Sequence, residues 1–222
     1  MKSINVISKK IEWDKLEKEY DQLVNTLYPV RKEAVERLNN QKAKIVSLAT
    51  GLLLQDIVYK ELGIEPKDLS VSKMEQGKPY IDGKSEFYFN ISHSGERITI
   101  AYGNSPVGVD VEHIRCRESD LKVAKRCFTQ EEYEFIALDE FALDKEGLSH
   151  SKEERFFMVW TMKEAYLKYT GTGISVPMKS FQVKPYDGVV VGEKLNNKTL
   201  IMEDYVYSVC VDDDVEISFS FE

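Results

Sequence analysis

Asp110 and Glu112 stand two residues apart in the run Gly108-Val-Asp-Val-Glu112. In an extended chain this alternation puts both carboxylates on one face, roughly 7 Å apart, and Val109 and Val111 on the other. An isolated pair of this kind is ordinarily a half-exposed strand end. It is also how a hard cation such as Mg²⁺ is held, with one or two carboxylates completed by substrate phosphates and water. A third acid, Glu164, lies in Trp160-Thr-Met-Lys163-Glu164-Ala-Tyr-Leu-Lys168. Three carboxylates converging without a cation repel by several kcal/mol even at an effective dielectric of about 20.

The segment from Glu153 to Tyr169 has no Gly or Pro, and its composition predicts one long helix stopped at Gly171. At about 100° per residue, Phe156, Phe157, Val159, Trp160, Met162, Tyr166 and Leu167 make an apolar arc wider than half the circumference. Lys163 falls inside that arc, and Glu164 and Lys168 share its edge. A Glu–Lys pair at i,i+4 is usually a solvated surface pair worth a few tenths of a kcal/mol. Inside an apolar arc each charge needs a partner, because a lone buried charge is costly.

The stretch Phe87-Tyr-Phe-Asn90-Ile-Ser92-His93-Ser94-Gly95 reads as a strand entering a turn lined with hydroxyls and one imidazole. Ser92 and His93 are possible donors to a phosphate oxygen. Ser92 is not in a G-x-S-x-G elbow, so a hydrolase triad is not indicated. Gly171-Thr-Gly173 follows a helix and reads as its C-cap, not as a dinucleotide fingerprint.

Helical spacing of Trp13, Leu16, Tyr20, Leu23 and Leu27 predicts a first helical segment, interrupted at Pro29 before a basic one from Arg31 to Arg37. A core helix is predicted from Lys42 to Leu62, with Gly63 beyond its end. Short strands follow at Leu69–Ser72, Pro79–Ile81, Phe87–Ile91, Ile98–Tyr102 and Val107–Val111. The second half repeats the order loosely. Helices are expected at Asp120–Cys127 and Gln130–Leu138, the latter opened by the capping box Thr129-Gln-Glu-Glu132, then the long helix. Strands are expected at Phe181–Val183, Tyr205–Val211 and Val215–Phe221. Asp139–Glu154 reads as a loop or insertion and Asp187–Lys198 as a long hairpin connection. This is an α+β pattern in two halves, 1–104 and 105–222.

The 222 residues, 42% hydrophobic and 31% charged, describe an ordinary globular chain with an ample core. A net charge of −8 argues against nucleic acid as the partner of the whole surface. No run approaches the ~20 apolar residues of a membrane span, and the N-terminus lacks the apolar core of a signal peptide, so a cytoplasmic protein is expected. Cys116, Cys127 and Cys210 lack zinc-type spacing and suggest no disulfide framework.

Gly77-Lys78-Pro79, Phe89-Asn90-Ile91-Ser92-His93-Ser94, Gly108-Val109-Asp110-Val111-Glu112 and Trp160 to Lys168, in this order, resemble the signatures of the 4′-phosphopantetheinyl transferases of the larger, surfactin-synthetase-activating type. The resemblance spans roughly Arg31 to Val183. It implies a monomer of two similar α+β halves, a pseudo-dimer whose interface binds coenzyme A. It also implies transfer of the phosphopantetheine arm to a serine of an apo peptidyl or acyl carrier domain. Asp110, Glu112 and Glu164 would hold Mg²⁺, with Mn²⁺ as the alternative ion. Glu164 would serve as general base, Lys168 would stabilise or protonate the leaving phosphate, and His93 would hold the pyrophosphate. Lys78, Ser92, Lys163 and Lys168 would contact coenzyme A. Arg31 is the best match for the 3′-phosphate contact, with Lys44 and Ser47 beside it. An acidic carrier would dock on Arg115, Arg117, Lys122, Lys125 and Arg126. Two other readings use the same residues: a Mg²⁺-dependent nucleotide phosphohydrolase and a non-catalytic coenzyme A-binding protein.

Overall fold

The structure is a computed structural model that describes residues 1–116, 120–138 and 149–222. In chain order the elements are β1 (Lys2–Lys10), α1 (Trp13–Lys18), α2 (Tyr20–Val24), α3 (Pro29–Glu36), α4 (Gln41–Leu62), β2 (Val71–Lys73), β3 (Pro79–Ile81), β4 (Tyr88–Ser94), β5 (Arg97–Gly103) and β6 (Gly108–His113). Then come α5 (Asp120–Cys127), α6 (Gln130–Ala137), α7 (Lys152–Thr170), β7 (Val183–Lys184), β8 (Val189–Val190), β9 (Leu195–Met202), β10 (Tyr205–Asp212) and β11 (Val215–Phe221).

Two sheets, each under one long helix, make this a mixed α+β fold of two halves. The first has the order β11-β1-β5-β4 and the second β6-β10-β9-β8-β7. On β5 the residues Ile98, Ile100 and Tyr102 point to α4, where they meet Ile45, Leu48, Leu54 and Ile57. On the second sheet Val206 joins Phe156, Phe157, Val159 and Met162 of α7. The remaining faces meet each other: Ile4, Val6 and Ala101 of the first sheet pack with Val109, Val209 and Val211 of the second, and with Val107 just before β6. Period-2 alternation thus gives every central strand one side for a helix and one for the other sheet.

Both long helices end as their sequences imply. Asn40 caps α4 by accepting from the Ala43 N–H, and Gly63 leaves it in the left-handed conformation at φ 66°. A capping box of Ser151 and Glu154 opens α7, and Gly171 closes it at φ 74°.

Three strand assignments differ from the sequence pattern. Lys2–Lys10, for which no element is expected from the sequence pattern, is the parallel partner of β11 and the antiparallel partner of β5. Strand β11, expected in the second half, therefore completes the first sheet. The segment Asp187–Lys198, expected as a connection, contains β8 and half of β9, with Val189 paired to Asn196. Most of the expected insertion, residues 139–148, lies outside the described residues. Among the described residues no helix is long and apolar enough to cross a membrane.

Candidate functional site

Strands β4 and β6 belong to different sheets, yet they run side by side, joined by side chains instead of a backbone ladder. Asn90, Ser92 and Ser94 alternate along β4 toward β6. Asn90 Oδ1 accepts the Val109 N–H at 3.0 Å, Ser92 Oγ accepts the Val111 N–H at 3.3 Å, and Ser94 Oγ accepts the His113 N–H at 3.1 Å. The serine hydroxyls then donate to the intervening acids: Ser92 to Asp110 Oδ1 at 2.8 Å and Ser94 to Glu112 Oε2 at 2.7 Å. Two period-2 patterns, one of hydroxyls and one of carboxylates, are thus interlocked across the seam between the halves.

Helix α7 lies on the same face of β6. Its approach depends on Gly108, where a Cβ would sit 2.0 Å from the Ala165 carbonyl oxygen and 2.3 Å from the Tyr169 nitrogen. That closeness brings Lys168 onto the acids. Its ammonium donates to Asp110 Oδ1 at 2.7 Å, to Ser92 Oγ at 3.0 Å and to the Val109 carbonyl at 3.0 Å. The Lys168 side chain is 27% exposed and that of Asp110 only 6%. Ser92 is saturated by these bonds, one donated and two accepted, so its expected contact with a phosphate is taken up here by the seam.

Glu164, one turn before Lys168, is half-buried. Burial pushes its carboxyl above the ordinary glutamate range, the charge of Asp110 adds to the effect, and Lys168 opposes it. Burial also raises Glu112, while the Ser94 hydroxyl pulls it down and Asp110 pushes it up again. The three expected acids therefore share one electrostatic neighbourhood. Among the described residues no three His, Cys, Asp or Glu side chains are drawn into a ready-made ligand cluster. The donor chemistry nonetheless suits a hard cation: all three offer carboxylate oxygens, and Asp110 Oδ2 is buried without a hydrogen-bond partner.

His93, between Ser92 and Ser94 on β4, is exposed. Desolvation and then the nearby Lys168 ammonium hold its imidazole below its ordinary 6.5, so it is neutral at pH 7. Beside Glu112 a hollow of about 150 Å³ is lined by Arg115, Val123, Phe156, Phe157 and Trp160. A larger one, about 540 Å³ among Ser3, Glu61, Lys84, Glu86 and Tyr102, is lined by none of Asp110, Glu112, Glu164 and Lys168.

Other expected residues are placed differently. Lys163 is a correction: it does not reach the cleft, because its ammonium is fully buried under α7. There it pairs with Glu132 Oε1 at 2.8 Å and donates to the Met178 and Phe181 carbonyls at 2.7 and 2.6 Å. Glu132 serves twice, since its other oxygen accepts the Thr129 N–H of the capping box at 2.9 Å. Lys78 is turned inward, donating to the carbonyls of Val107 at 3.1 Å and Tyr169 at 2.9 Å. Burial lowers its pKa to about 8. It fastens the β2–β3 hairpin to the end of α7.

Arg31 and Ser47 do come together on α3 and α4. The Arg31 guanidinium donates to Ser47 Oγ at 3.4 Å and to the Tyr28 hydroxyl at 3.1 Å. Lys44 lies one helical turn before Ser47 on the same side of α4. Arg115, Lys122, Lys125 and Arg126 are exposed, the last three along one side of α5. Arg117 lies outside the described residues. The roles of Asn90 and Ser94 were missed in the sequence, although polar residues at every second position of a buried strand were the available signal.

Comparison with known proteins matches residues 106–210 to the 4′-phosphopantetheinyl transferase superfamily and residues 11–104 to the N-terminal region of a 4′-phosphopantetheinyl transferase. The chain is 30% identical to the 4′-phosphopantetheinyl transferase Sfp of Bacillus subtilis (strain 168), over 78% of this chain and 74% of that protein. It is 33% identical to the 4′-phosphopantetheinyl transferase gsp of Aneurinibacillus migulanus, over 76% of this chain and 66% of that one. With HetI of Nostoc the identity is 35% over 55% of this chain and 50% of the relative.

Proposed function

The chain belongs to the 4′-phosphopantetheinyl transferase superfamily, and from that premise we propose that it moves the phosphopantetheine arm of coenzyme A onto a serine of an apo peptidyl or acyl carrier domain, at the β4–β6–α7 seam. The observation that carries the reading is the Lys168–Asp110 contact at 2.7 Å, set among two further carboxylates raised by burial and by Asp110.

In the transfer, the carrier serine oxygen bonds to the phosphorus that bears the pantetheine arm. The bond from that phosphorus to the bridging oxygen breaks, and adenosine 3′,5′-bisphosphate leaves. Glu164 takes the serine proton, a task suited to a carboxylate whose basicity is raised. Lys168 faces the departing phosphate, and its three present acceptors hold the ammonium in place before substrate arrives. Asp110, Glu112 and Glu164 would hold a divalent cation, Mg²⁺ or Mn²⁺. When bound, that ion neutralises charge developing on the pyrophosphate.

His93, neutral at pH 7, offers an N–H to a pyrophosphate oxygen. Arg31, Ser47 and Lys44 form the contact for the 3′-phosphate. Lys163 and Lys78 act by holding α7 from below and from its end. Arg115, Lys122, Lys125 and Arg126 present positive charge to an acidic carrier on a protein whose total charge is negative. The protein acts as a monomer, since both halves of its seam come from one chain.

The test is the intact mass of an apo peptidyl carrier domain after incubation with the protein, coenzyme A and Mg²⁺. A gain of one phosphopantetheine arm that requires coenzyme A and metal supports the transferase. Coenzyme A breakdown without a carrier would instead mark a phosphohydrolase, and binding without any turnover a coenzyme A-binding protein.

A further inference from the structure

The three seam residues of β4 are alike in accepting a β6 N–H but unlike in what else they do. Asn90 Oδ1 takes the Val109 N–H and lies opposite no acid, whereas Ser92 shares its hydroxyl between Asp110 and Lys168. Ser94 directs its single proton to Glu112 Oε2 at 2.7 Å, with its oxygen held by the His113 N–H at 3.1 Å. Arg115 approaches the same carboxylate oxygen at 3.8 Å and is 45% exposed, a weak restraint.

Ser94 is itself fixed. Its backbone closes the β4–β5 hairpin opposite Arg97. The adjoining Gly95, at φ 56°, is pressed so near the second half that a Cβ there would meet the Tyr205 hydroxyl at 2.6 Å. A rigid turn of the first half therefore aims a carboxylate of the second. Holding Oε2 sets the direction in which the other Glu112 oxygen faces.

We propose that Ser94 is a positioning residue that orients Glu112 for cation binding across the seam. The inference rests on the reading of Glu112 as a metal ligand. Partners that orient a metal's own ligands typically contribute about 10–100-fold to metal affinity.

The experiment titrates Mn²⁺ into the coenzyme A complex of the full chain without carrier, reading free Mn²⁺ by electron paramagnetic resonance. Ser94→Ala is expected to weaken Mn²⁺ binding by about 10-fold or more, Ser94→Thr to restore it, and Asn90→Ala to lower thermal stability while leaving Mn²⁺ affinity at the wild-type value. Metal-free coenzyme A affinity is expected to stay unchanged in Ser94→Ala, which separates aiming from general damage. Glu112→Gln is run alongside. Wild-type Mn²⁺ affinity in Ser94→Ala, with affinity lost in Glu112→Gln, overturns the role of Ser94 alone. Wild-type affinity in both overturns it together with the assignment of Glu112 as a ligand. Equal losses in Ser94→Ala and Asn90→Ala also overturn it, since any seam defect would then suffice.

Discussion

The two long helices cover equivalent faces of their sheets, but they treat charge in opposite ways. Helix α4 buries Ile45, Leu48, Leu54, Ile57 and Val58, and its buried polar residues satisfy backbone: Thr50 donates to the Val46 carbonyl and Gln55 accepts the Tyr28 N–H. Helix α7 carries Lys163 into the core and sets Glu164 and Lys168 on the half-buried edge. Lys163 and Lys168 differ again. Lys163 is neutralised within the second half, whereas Lys168 reaches across β6 to a seam that both halves build. A charge inside an apolar arc thus has two meanings, and the location of its partner distinguishes them.

The sharpest challenge to this contrast is Glu164→Gln, which preserves shape and removes the proposed base. Carrier-modification kinetics should show kcat falling about 10²–10⁴-fold, with coenzyme A still bound and the melting temperature near wild type. Lys163→Met should do the reverse. Denaturant unfolding should register a loss of about 3–5 kcal/mol from the uncompensated Glu132, while the folded fraction retains its turnover.

Two glycines extend the comparison. Gly108→Ala drives a Cβ into the α7 backbone, so α7 must shift; a loss of about 1–3 kcal/mol is expected with a drop in kcat. Gly51→Ala in α4 meets only side chains, Arg31 Cγ at 2.5 Å and Leu27 Cδ2 at 2.8 Å. Displacing Arg31 should raise the coenzyme A KM and leave kcat alone. A kcat effect at Gly51 equal to that at Gly108 would erase the distinction between the helices.

Smaller effects are expected outside the seam. Lys122→Glu with Arg126→Glu should raise the carrier KM, most at low salt, without changing coenzyme A affinity. The His93 ring signal should titrate below 6.5 in the free protein and shift upward on coenzyme A binding, as the pyrophosphate favours the imidazolium. Because the folded pKa is lowered, the unfolded chain binds more protons between that value and 6.5. His93 therefore removes stability as pH falls through this window.

Much of the site was legible because its signals are local. Asp110 and Glu112 alternate with valines, and Glu164 and Lys168 are one turn apart in an uninterrupted helix with Gly171 behind it. Lys163 was placed correctly inside the apolar arc but given the wrong partner: Glu132 lies 31 residues earlier, and only tertiary packing brings it beneath α7. The seam was hidden for the same reason. Asn90-x-Ser92-x-Ser94 is visible as a pattern, but which strand it faces depends on how two sheets meet. Strand β1 was overlooked although Ile4 and Val6 alternate with polar residues, because its pairing with β11 joins opposite ends of the chain. The last residues of the expected Asp187–Lys198 connection, Asn196 to Lys198, are strand because β10 supplies their ladder.

The central claim is that Asp110, Glu112 and Glu164 form one cation site at the seam, beside Lys168. Anomalous diffraction from crystals grown with Mn²⁺ and coenzyme A tests it most directly. The expected result is a Mn²⁺ peak bonded to oxygens of those three carboxylates and to the pyrophosphate, with Lys168 against the same phosphates. A peak elsewhere, or coenzyme A bound with its pyrophosphate away from β6, would contradict the account.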